Sequence, residues 1–262
     1  MIKLVASDLD GTLLPPNKIM PERLFPLIKE LREKGIIFTP ASGRQLPNLK
    51  KLFAPVLNEI AIIAENGGLV WFGGEIIYSN PTPKEGVFKT LEAVKGISGL
   101  YPLLSCADCA YYQSGNTAFI NVVEKSYSSC KRVESLEEIA EKTEVIKISV
   151  WDEAPPSANH GAPLLAPKLP DLRVMASGYD WLDVSTAGAN KGNALKELLK
   201  KLGAKKDECV AFGDHMNDLE MLEACGSPYV VANAFAGLKE KFKDEVPSNA
   251  DFGVIKKLEE FL

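Results

Sequence analysis

The sequence lacks several features that would point to a membrane or nucleic-acid partner. No apolar run approaches the roughly 18–20 residues that a membrane-spanning helix needs. The start, residues 1–10, passes from a short apolar run directly into acidic residues, without the cleavage site of a signal peptide. Basic residues are not in excess, and the net charge of −5 argues against a broad basic surface. We therefore expect a cytoplasmic protein that binds neither membranes nor nucleic acid.

Histidine and cysteine are also scarce. There are two histidines, and five cysteines are an odd number in a chain of 262 residues, which does not suggest a disulfide framework. Cys106 and Cys109 have the spacing of a redox or zinc pair, but no second pair accompanies them, so we interpret them as structural. His215 lies inside a motif described below, at a position that needs no particular chemistry, and we assign it no catalytic role.

The sequence does contain a repeated alternation of short apolar runs with amphipathic stretches. This pattern is typical of a parallel sheet covered by helices. It predicts strands at residues 2–6, 36–39, 60–64, 208–213 and 229–232, a hairpin at 69–78, and helices at 21–34, 191–202, 216–224 and 254–262. The middle of the chain is less regular, with predicted helices at 84–95 and 135–142 and predicted strands at 117–123, 145–151 and 172–184.

The proline-rich stretch at residues 80–83 marks a domain boundary. We expect an α/β fold with a doubly wound, Rossmann-like parallel-sheet core formed by residues 1–82 and 186–262. Residues 83–185 would form a smaller inserted α/β domain. We interpret its aromatic residues Trp151, Tyr179 and Trp181 as core residues rather than as contacts to a sugar ring.

Polar and charged residues collect at four strand ends or helix starts. They are Asp8-Leu9-Asp10-Gly11-Thr12, Ser42-Gly43-Arg44, Lys191-Gly192 and Gly213-Asp214-His215-Met216-Asn217-Asp218. Ligands of open parallel sheets bind outside the carboxyl ends of the strands, so these residues should meet at one edge. Each stretch alone could be a turn, a helix cap or a solvated lysine. Their joint occurrence favours a functional site.

The residue types suit chemistry on a phosphate group. A carboxylate such as Asp8 that attacks a phosphate dianion meets about 4 kcal/mol of repulsion for each unit-charge pair about 4 Å apart at an effective dielectric constant of about 20. A divalent cation must offset this repulsion, and Mg2+ prefers one or two carboxylates with phosphate and water oxygens. Asp8 and Asp214 can supply those carboxylates.

The remaining groups can bind the phosphate and move protons. Lys191 supplies a positive charge, and Ser42 with the backbone amides around Leu9 and Gly43 can donate hydrogen bonds. Asp10 lies two residues beyond Asp8, so in an extended backbone the two side chains point the same way. It can protonate a leaving alcohol and then deprotonate the attacking water.

Together these stretches resemble the four motifs of the haloacid dehalogenase superfamily. More narrowly, the chain resembles the Cof-type phosphatases, in which an α/β cap is inserted between the second and third motifs. The resemblance implies that Asp8 is the nucleophile and Asp10 the acid and base. It implies Mg2+ held by Asp8, the Asp10 backbone carbonyl and Asp214, with Asp218 supporting. It also implies phosphate binding by the backbone of Leu9 and Gly43 and by Ser42, Lys191 and Asn217. Asn66-Gly67 fits the same pattern.

Two questions stay open at this point. Arg44 could face the phosphate or substrate, or form a surface salt bridge. The leading function is Mg2+-dependent hydrolysis of a small phosphomonoester, such as a sugar phosphate or related metabolite, through an aspartyl-phosphate. One alternative is a sugar phosphomutase. Another is a phospho-aspartate switch, against which Asp10 argues because an adjacent acid and base shortens the life of the acyl-phosphate.

Overall fold

The computed structural model describes all residues, 1–262, and contains fourteen strands and ten α-helices. The strands are β1 (Leu4–Ser7), β2 (Ile37–Pro40), β3 (Ala61–Ala64), β4 (Leu69–Phe72), β5 (Glu75–Ser79), β6 (Leu100–Ser105), β7 (Ala110–Tyr112), β8 (Cys130–Arg132), β9 (Lys147–Asp152), β10 (Leu172–Ala176), β11 (Trp181–Thr186), β12 (Cys209–Gly213), β13 (Ser227–Val231) and β14 (Glu245–Val246). The helices are α1 (Leu24–Glu33), α2 (Leu46–Leu52), α3 (Lys84–Lys95), α4 (Thr117–Ser126), α5 (Leu136–Lys142), α6 (Gly161–Leu165), α7 (Lys191–Leu202), α8 (Leu219–Ala224), α9 (Ala236–Lys241) and α10 (Gly253–Glu259).

The first compact unit comprises residues 1–44, 49–78 and 190–262. Its main sheet has the order β14-β13-β12-β1-β2, and every neighbouring pair in it is parallel. Parallel bridges from Phe38 to Ile60 and from Ala41 to Ile63 bring β3 beside β2, and β3 continues into a second sheet with β4 and β5. The predicted α/β class with a parallel-sheet core is confirmed.

The strands of this sheet are buried because helices cover them. All four residues of β1 and all five of β12 are buried, as a parallel sheet with two covered faces requires. Helix α7 contributes Leu195 and Leu198 to the core cluster at helical spacing. These packed strands and helices hold the loops at the strand ends in fixed positions.

Helix α7 begins and ends with local signals. The Asn190 side chain accepts a hydrogen bond of 2.8 Å from the Asn193 amide, which caps the first turn. Gly203 ends the helix in the left-handed conformation, at φ 61°. The cap makes Lys191 the first helical residue and fixes where its side chain leaves the backbone.

The second compact unit comprises residues 45–48 and 79–189. Its sheet has the order β10-β11-β9-β6-β7-β8, antiparallel except for the β7–β8 pair. One face packs against α3, α5 and α6 through residues such as Val87, Leu136 and Leu165. Helix α4 packs on the other face through Phe119 and Val123.

Two middle-region predictions were wrong. Residues 117–123 form helix α4 rather than a strand, because Asn116 caps the first turn and Phe119 and Val123 bury one helical face. The β-branched residues there favour strands locally, but packing decides. Residues 172–184 form two antiparallel strands, β10 and β11, instead of one. Strands β6, β7 and β8 were not predicted.

The aromatic residues of this unit separate into two groups. Trp151 is buried, with its ring 6.0 Å from that of Phe119, and Trp181 lies 6.4 Å from the same ring. Their assignment to the core is confirmed. Tyr179 is 70% exposed, so its assignment to the core was wrong. The reason is its place in the turn between β10 and β11.

None of the ten helices combines the length and the apolar character that a membrane-crossing helix requires.

Candidate active site

The loop after β1 starts the site. Ser7 is in register with Phe212 of the neighbouring parallel strand β12, and the Asp8 amide donates to the Phe212 carbonyl at 3.0 Å. The loops that follow β1 and β12 therefore leave the same edge of the sheet side by side. This brings Asp8 and Asp214 together, although 206 residues separate them in sequence.

Lys191 joins two of the carboxylates. Its Nζ donates to Asp8 Oδ1 at 2.5 Å and to Asp218 Oδ1 at 2.6 Å. The side chains of Lys191 and Asp218 are fully buried, and that of Asp8 is 9% exposed. Charges are buried only when they are paired, and this lysine serves two partners at once.

Asp218 and Thr12 fix the position of Asp214. Asp218 Oδ2 accepts hydrogen bonds from the Asp214 amide at 3.0 Å and the His215 amide at 3.2 Å. Thr12 Oγ1 donates to Asp214 Oδ1 at 2.9 Å. Carboxylate oxygens of Asp8, Asp214 and Asp218 lie within 4.8 Å of one another, close enough to hold one metal ion.

The buried charges perturb each other. Burial raises the pKa of the Asp8 carboxyl well above its usual range, against the opposing charge of Lys191. Burial also raises the pKa of Asp214, and the negative charge of Asp218 adds to the effect. Burial disfavours the charged form of Lys191, but the charges of Asp218 and Asp8 outweigh it and raise the pKa of the lysine. Three carboxylates thus share one lysine, and a bound cation would relieve the excess negative charge.

Gly11 allows the Asp8 loop to approach Asp214. Its φ of +93° lies in the region that favours glycine, and a Cβ atom there would lie 2.3 Å from Asp214 Oδ2. No residue with a side chain fits between these two loops. The glycine of the first motif is therefore a requirement of packing around the carboxylates.

Asp10 lies at the more exposed side of the site, in an ion pair with Arg44. Arg44 Nε donates to Asp10 Oδ2 at 2.9 Å, and one terminal guanidinium nitrogen donates to Asp10 Oδ1 at 2.7 Å. Lys18 Nζ lies 3.8 Å from the same Oδ1. The two-point contact fixes the direction of the Asp10 carboxylate. Arg44 thus forms a salt bridge, and its partner is a predicted site residue.

The loop after β2 supplies Ser42 and Gly43. Ser42 is buried, and its Oγ accepts from the Arg44 amide at 3.2 Å. A Cβ atom on Gly43 would lie 2.8 Å from Asn66 Nδ2, so a larger residue there would displace the Asn66 side chain. Asn217 Nδ2 in turn donates to Asn66 Oδ1 at 3.4 Å. The structure thus brings Asn217 against the Asn66 side chain.

Leu9 shapes the loop after β1 through its backbone. Its side chain is fully buried, and its carbonyl accepts from the Leu13 and Leu14 amides at 3.1 and 2.8 Å. These bonds close a tight turn directly after Asp8.

Some residues of the site had not been predicted as site residues. Thr12 belongs to the first motif, but its bond to Asp214 was not expected. Asn233 donates to the Gly11 carbonyl at 2.8 Å. Nothing near Asn233 in the sequence distinguishes it from an ordinary loop asparagine, and its role depends on a contact across 222 residues.

Comparison with known proteins shows the family to which this chain belongs. The profile of the haloacid dehalogenase-like hydrolases matches residues 5–258. The chain is 28% identical to the 5-amino-6-(5-phospho-D-ribitylamino)uracil phosphatase of Escherichia coli, covering 100% of this chain and 96% of that one. It is 25% identical to the HMP-PP phosphatase of Shigella boydii, covering 91% of each chain.

A solved structure is also similar. A crystal structure of a Thermotoga maritima protein superimposes with a TM-score of 0.86 and 28% identity, covering 99% of this chain and 97% of the other. The matching profile, the relatives and the shared fold extend over nearly the whole length. The chain belongs to the haloacid dehalogenase-like hydrolases, in the Cof-type phosphatase branch of that family.

Proposed function

We propose that this protein is an Mg2+-dependent phosphatase that hydrolyses a small phosphomonoester through a phosphorylated Asp8. The observation that carries the proposal is a group of three neighbouring carboxylates, the buried Asp8 and Asp218 and the partly buried Asp214, with the buried cation Lys191 bonded to the first two. Such a charge arrangement is costly for a merely structural purpose, and it suits a site that takes up a cation and a phosphate.

The residues present fit a magnesium ion. Asp8, Asp214 and the Asp10 backbone carbonyl would hold it, with Asp218 in support, and all of these are the oxygen ligands that Mg2+ prefers. When bound, the ion would neutralise charge on the phosphate and on the attacking carboxylate. Lys191, Ser42, Asn217 and the Leu9 and Gly43 amides would bind the remaining phosphate oxygens.

In the first step an Asp8 oxygen attacks phosphorus. A bond forms between Asp8 and phosphorus while the bond from phosphorus to the ester oxygen breaks. Asp10 gives its proton to that ester oxygen, so the leaving group departs as a neutral alcohol. In the structure Arg44 donates to both Asp10 oxygens, so one of these two hydrogen bonds has to open when Asp10 carries its proton, and the other then orients the carboxyl group.

In the second step water attacks the phosphorus of the aspartyl-phosphate. Asp10, now a carboxylate, takes a proton from the water, and the bond from phosphorus to Asp8 breaks. Inorganic phosphate leaves, and both carboxyl groups return to their starting states. The same residue therefore acts first as an acid and then as a base.

Substrate choice is assigned to the inserted region at residues 83–185, which we propose acts as a cap. An inserted domain of this size can select the part of the substrate that does not react. The relative from Escherichia coli is named for a phosphorylated sugar alcohol joined to a uracil ring. Sugar phosphates and phosphorylated sugar alcohols on a heterocycle are therefore the substrate classes proposed for this chain.

The test is phosphate release from a panel of small phosphomonoesters, with Mg2+ and with EDTA. Wild type should release phosphate only with the metal, and folded Asp8→Asn should release none. Free phosphate in proportion to turnover separates a phosphatase from a phosphomutase. Failure of the folded, metal-loaded wild type on every member would contradict the proposal.

A further inference from the structure

Two asparagines from the C-terminal part of the chain hold the loop that carries Asp8 and Asp10. We call residues 8–14 the nucleophile loop. Asn233 Nδ2 donates to the Gly11 carbonyl at 2.8 Å, and Asn249 Nδ2 donates to the Leu14 carbonyl at 2.7 Å. The Asn249 amide donates to Asn233 Oδ1 at 3.0 Å. The two side chains thus form one connected network on this loop.

The nucleophile loop needs such an external restraint. Gly11 must be glycine, because a Cβ atom would collide with Asp214 Oδ2. Glycine also leaves the backbone more conformational freedom than any other residue. Gly11 follows directly after Asp10, whose carbonyl is a proposed metal ligand, and hydrogen bonds to the Gly11 and Leu14 carbonyls limit that freedom from outside the loop.

Residues 232–235, the segment that contains Asn233, also bond to the Asp214 loop on the opposite side of the site. The Phe235 amide, two residues after Asn233, donates to the Asp214 carbonyl at 2.8 Å. Residues 232–235 therefore contact both the nucleophile loop and the Asp214 loop. Since Asn249 is only 8% exposed and its bond to Leu14 is buried, that end of the network is shielded from competing water.

We infer that Asn233 and Asn249 are positioning residues, which hold the nucleophile loop at the distance from Asp214 that metal binding requires. Neither side chain touches the carboxylates, so they act through the backbone of Gly11 and Leu14. The inference rests on the metal site of the proposed function, and it adds Asn233 and Asn249 to the residues that shape this site.

The test measures Mg2+ affinity by calorimetry, without substrate, for wild type, Asn233→Ala and Asn249→Leu. The first variant removes the bond to Gly11, and the second removes the bond to Leu14 with an apolar side chain that branches at the same carbon. Outer partners of metal ligands typically change metal affinity by about 10–100-fold, and for these backbone-mediated contacts we expect about tenfold weaker binding. Amide exchange of Leu13 and Leu14 should also become faster in both variants.

Asn116→Ala is the matched control, because Asn116 is also an asparagine that bonds to the backbone, its Oδ1 accepting from the Phe119 amide at the start of α4 in the other compact unit. It should lower stability and leave Mg2+ affinity unchanged. Wild-type affinity in both folded variants, with unchanged amide exchange, would overturn the inference. If wild type itself binds no Mg2+, the proposed function fails, and faster exchange in the variants would still support the restraint. If one variant does not fold, the other decides.

Discussion

Replacing Lys191 by methionine tests the electrostatic account of the site. At an effective dielectric constant of about 20, opposite unit charges about 2.5 Å apart attract by about 6–7 kcal/mol. Lys191 makes two such contacts, to Asp8 and Asp218, and pays for them with the desolvation of a fully buried ammonium group. Removing one partner from a buried ion pair typically costs about 3–5 kcal/mol. We expect Lys191→Met to lose that much stability in EDTA.

Magnesium should reduce this loss. Without Lys191 the three carboxylates have no buried cation, so they should bind a divalent ion more tightly, and binding to the folded state adds stability by linkage. Urea denaturation followed by circular dichroism, in EDTA and in saturating Mg2+, measures both effects. The gap between wild type and Lys191→Met should be at least halved in Mg2+.

Lys147→Met is the matched control for this experiment. Lys147 is also buried and pairs with Asp183 at 2.9 Å, but in the other compact unit. Its replacement should lower stability by a similar amount in EDTA and in Mg2+. Wild-type stability of Lys191→Met in EDTA, or an equal effect of Mg2+ on both lysine variants, would refute the reasoning.

Four further predictions concern the same site. Asp10→Asn should lower kcat by about 10²–10⁴-fold with a smaller change in KM, because proton transfer is lost; steady-state kinetics checks this, and an unchanged kcat would contradict it. Gly11→Ala should weaken Mg2+ binding at least tenfold, since its Cβ would meet Asp214, and calorimetry decides. Lowering the pH should weaken Mg2+ binding, because burial raises the pKa of Asp8 and a proton then competes with the metal; affinity independent of pH below neutrality would argue against it. In metal-free protein the folded state takes up that proton at higher pH than the unfolded chain, so stability should fall as the pH rises through the raised pKa.

Most elements of the parallel-sheet core were predictable because their signals are local, whereas β14, α2 and α9 were not predicted. Strand β1 is a largely apolar run that ends at Ser7, directly before Asp8, and α7 has Asn190 at its start and Gly203 after its end. Parallel strands place their carboxyl ends at one edge, so the proximity of Asp8 to Asp214 followed from the predicted topology.

The remaining features could not be predicted from the sequence, because they depend on contacts between residues that are distant in the chain. Helix α4 was assigned as a strand because Val122 and Val123 favour strands, whereas the packing of Phe119 on the sheet decides its conformation. The bond from Asn249 to Leu14 spans 235 residues, and no local pattern predicts it. The local sequence predicts the ends of the strands. The side chains that hold the loops after those strands, such as Asn249, are identified only by contacts in the folded protein.

The most direct test of the central claim is to trap the phosphorylated enzyme. The protein would be mixed with substrate and Mg2+, quenched in acid within the first turnover, and digested for mass spectrometry. The account predicts one added phosphoryl group on the peptide that contains Asp8, and none in Asp8→Asn. Rapid turnover with no phosphorylated Asp8 at any time, or a phosphoryl group on another residue, would contradict it.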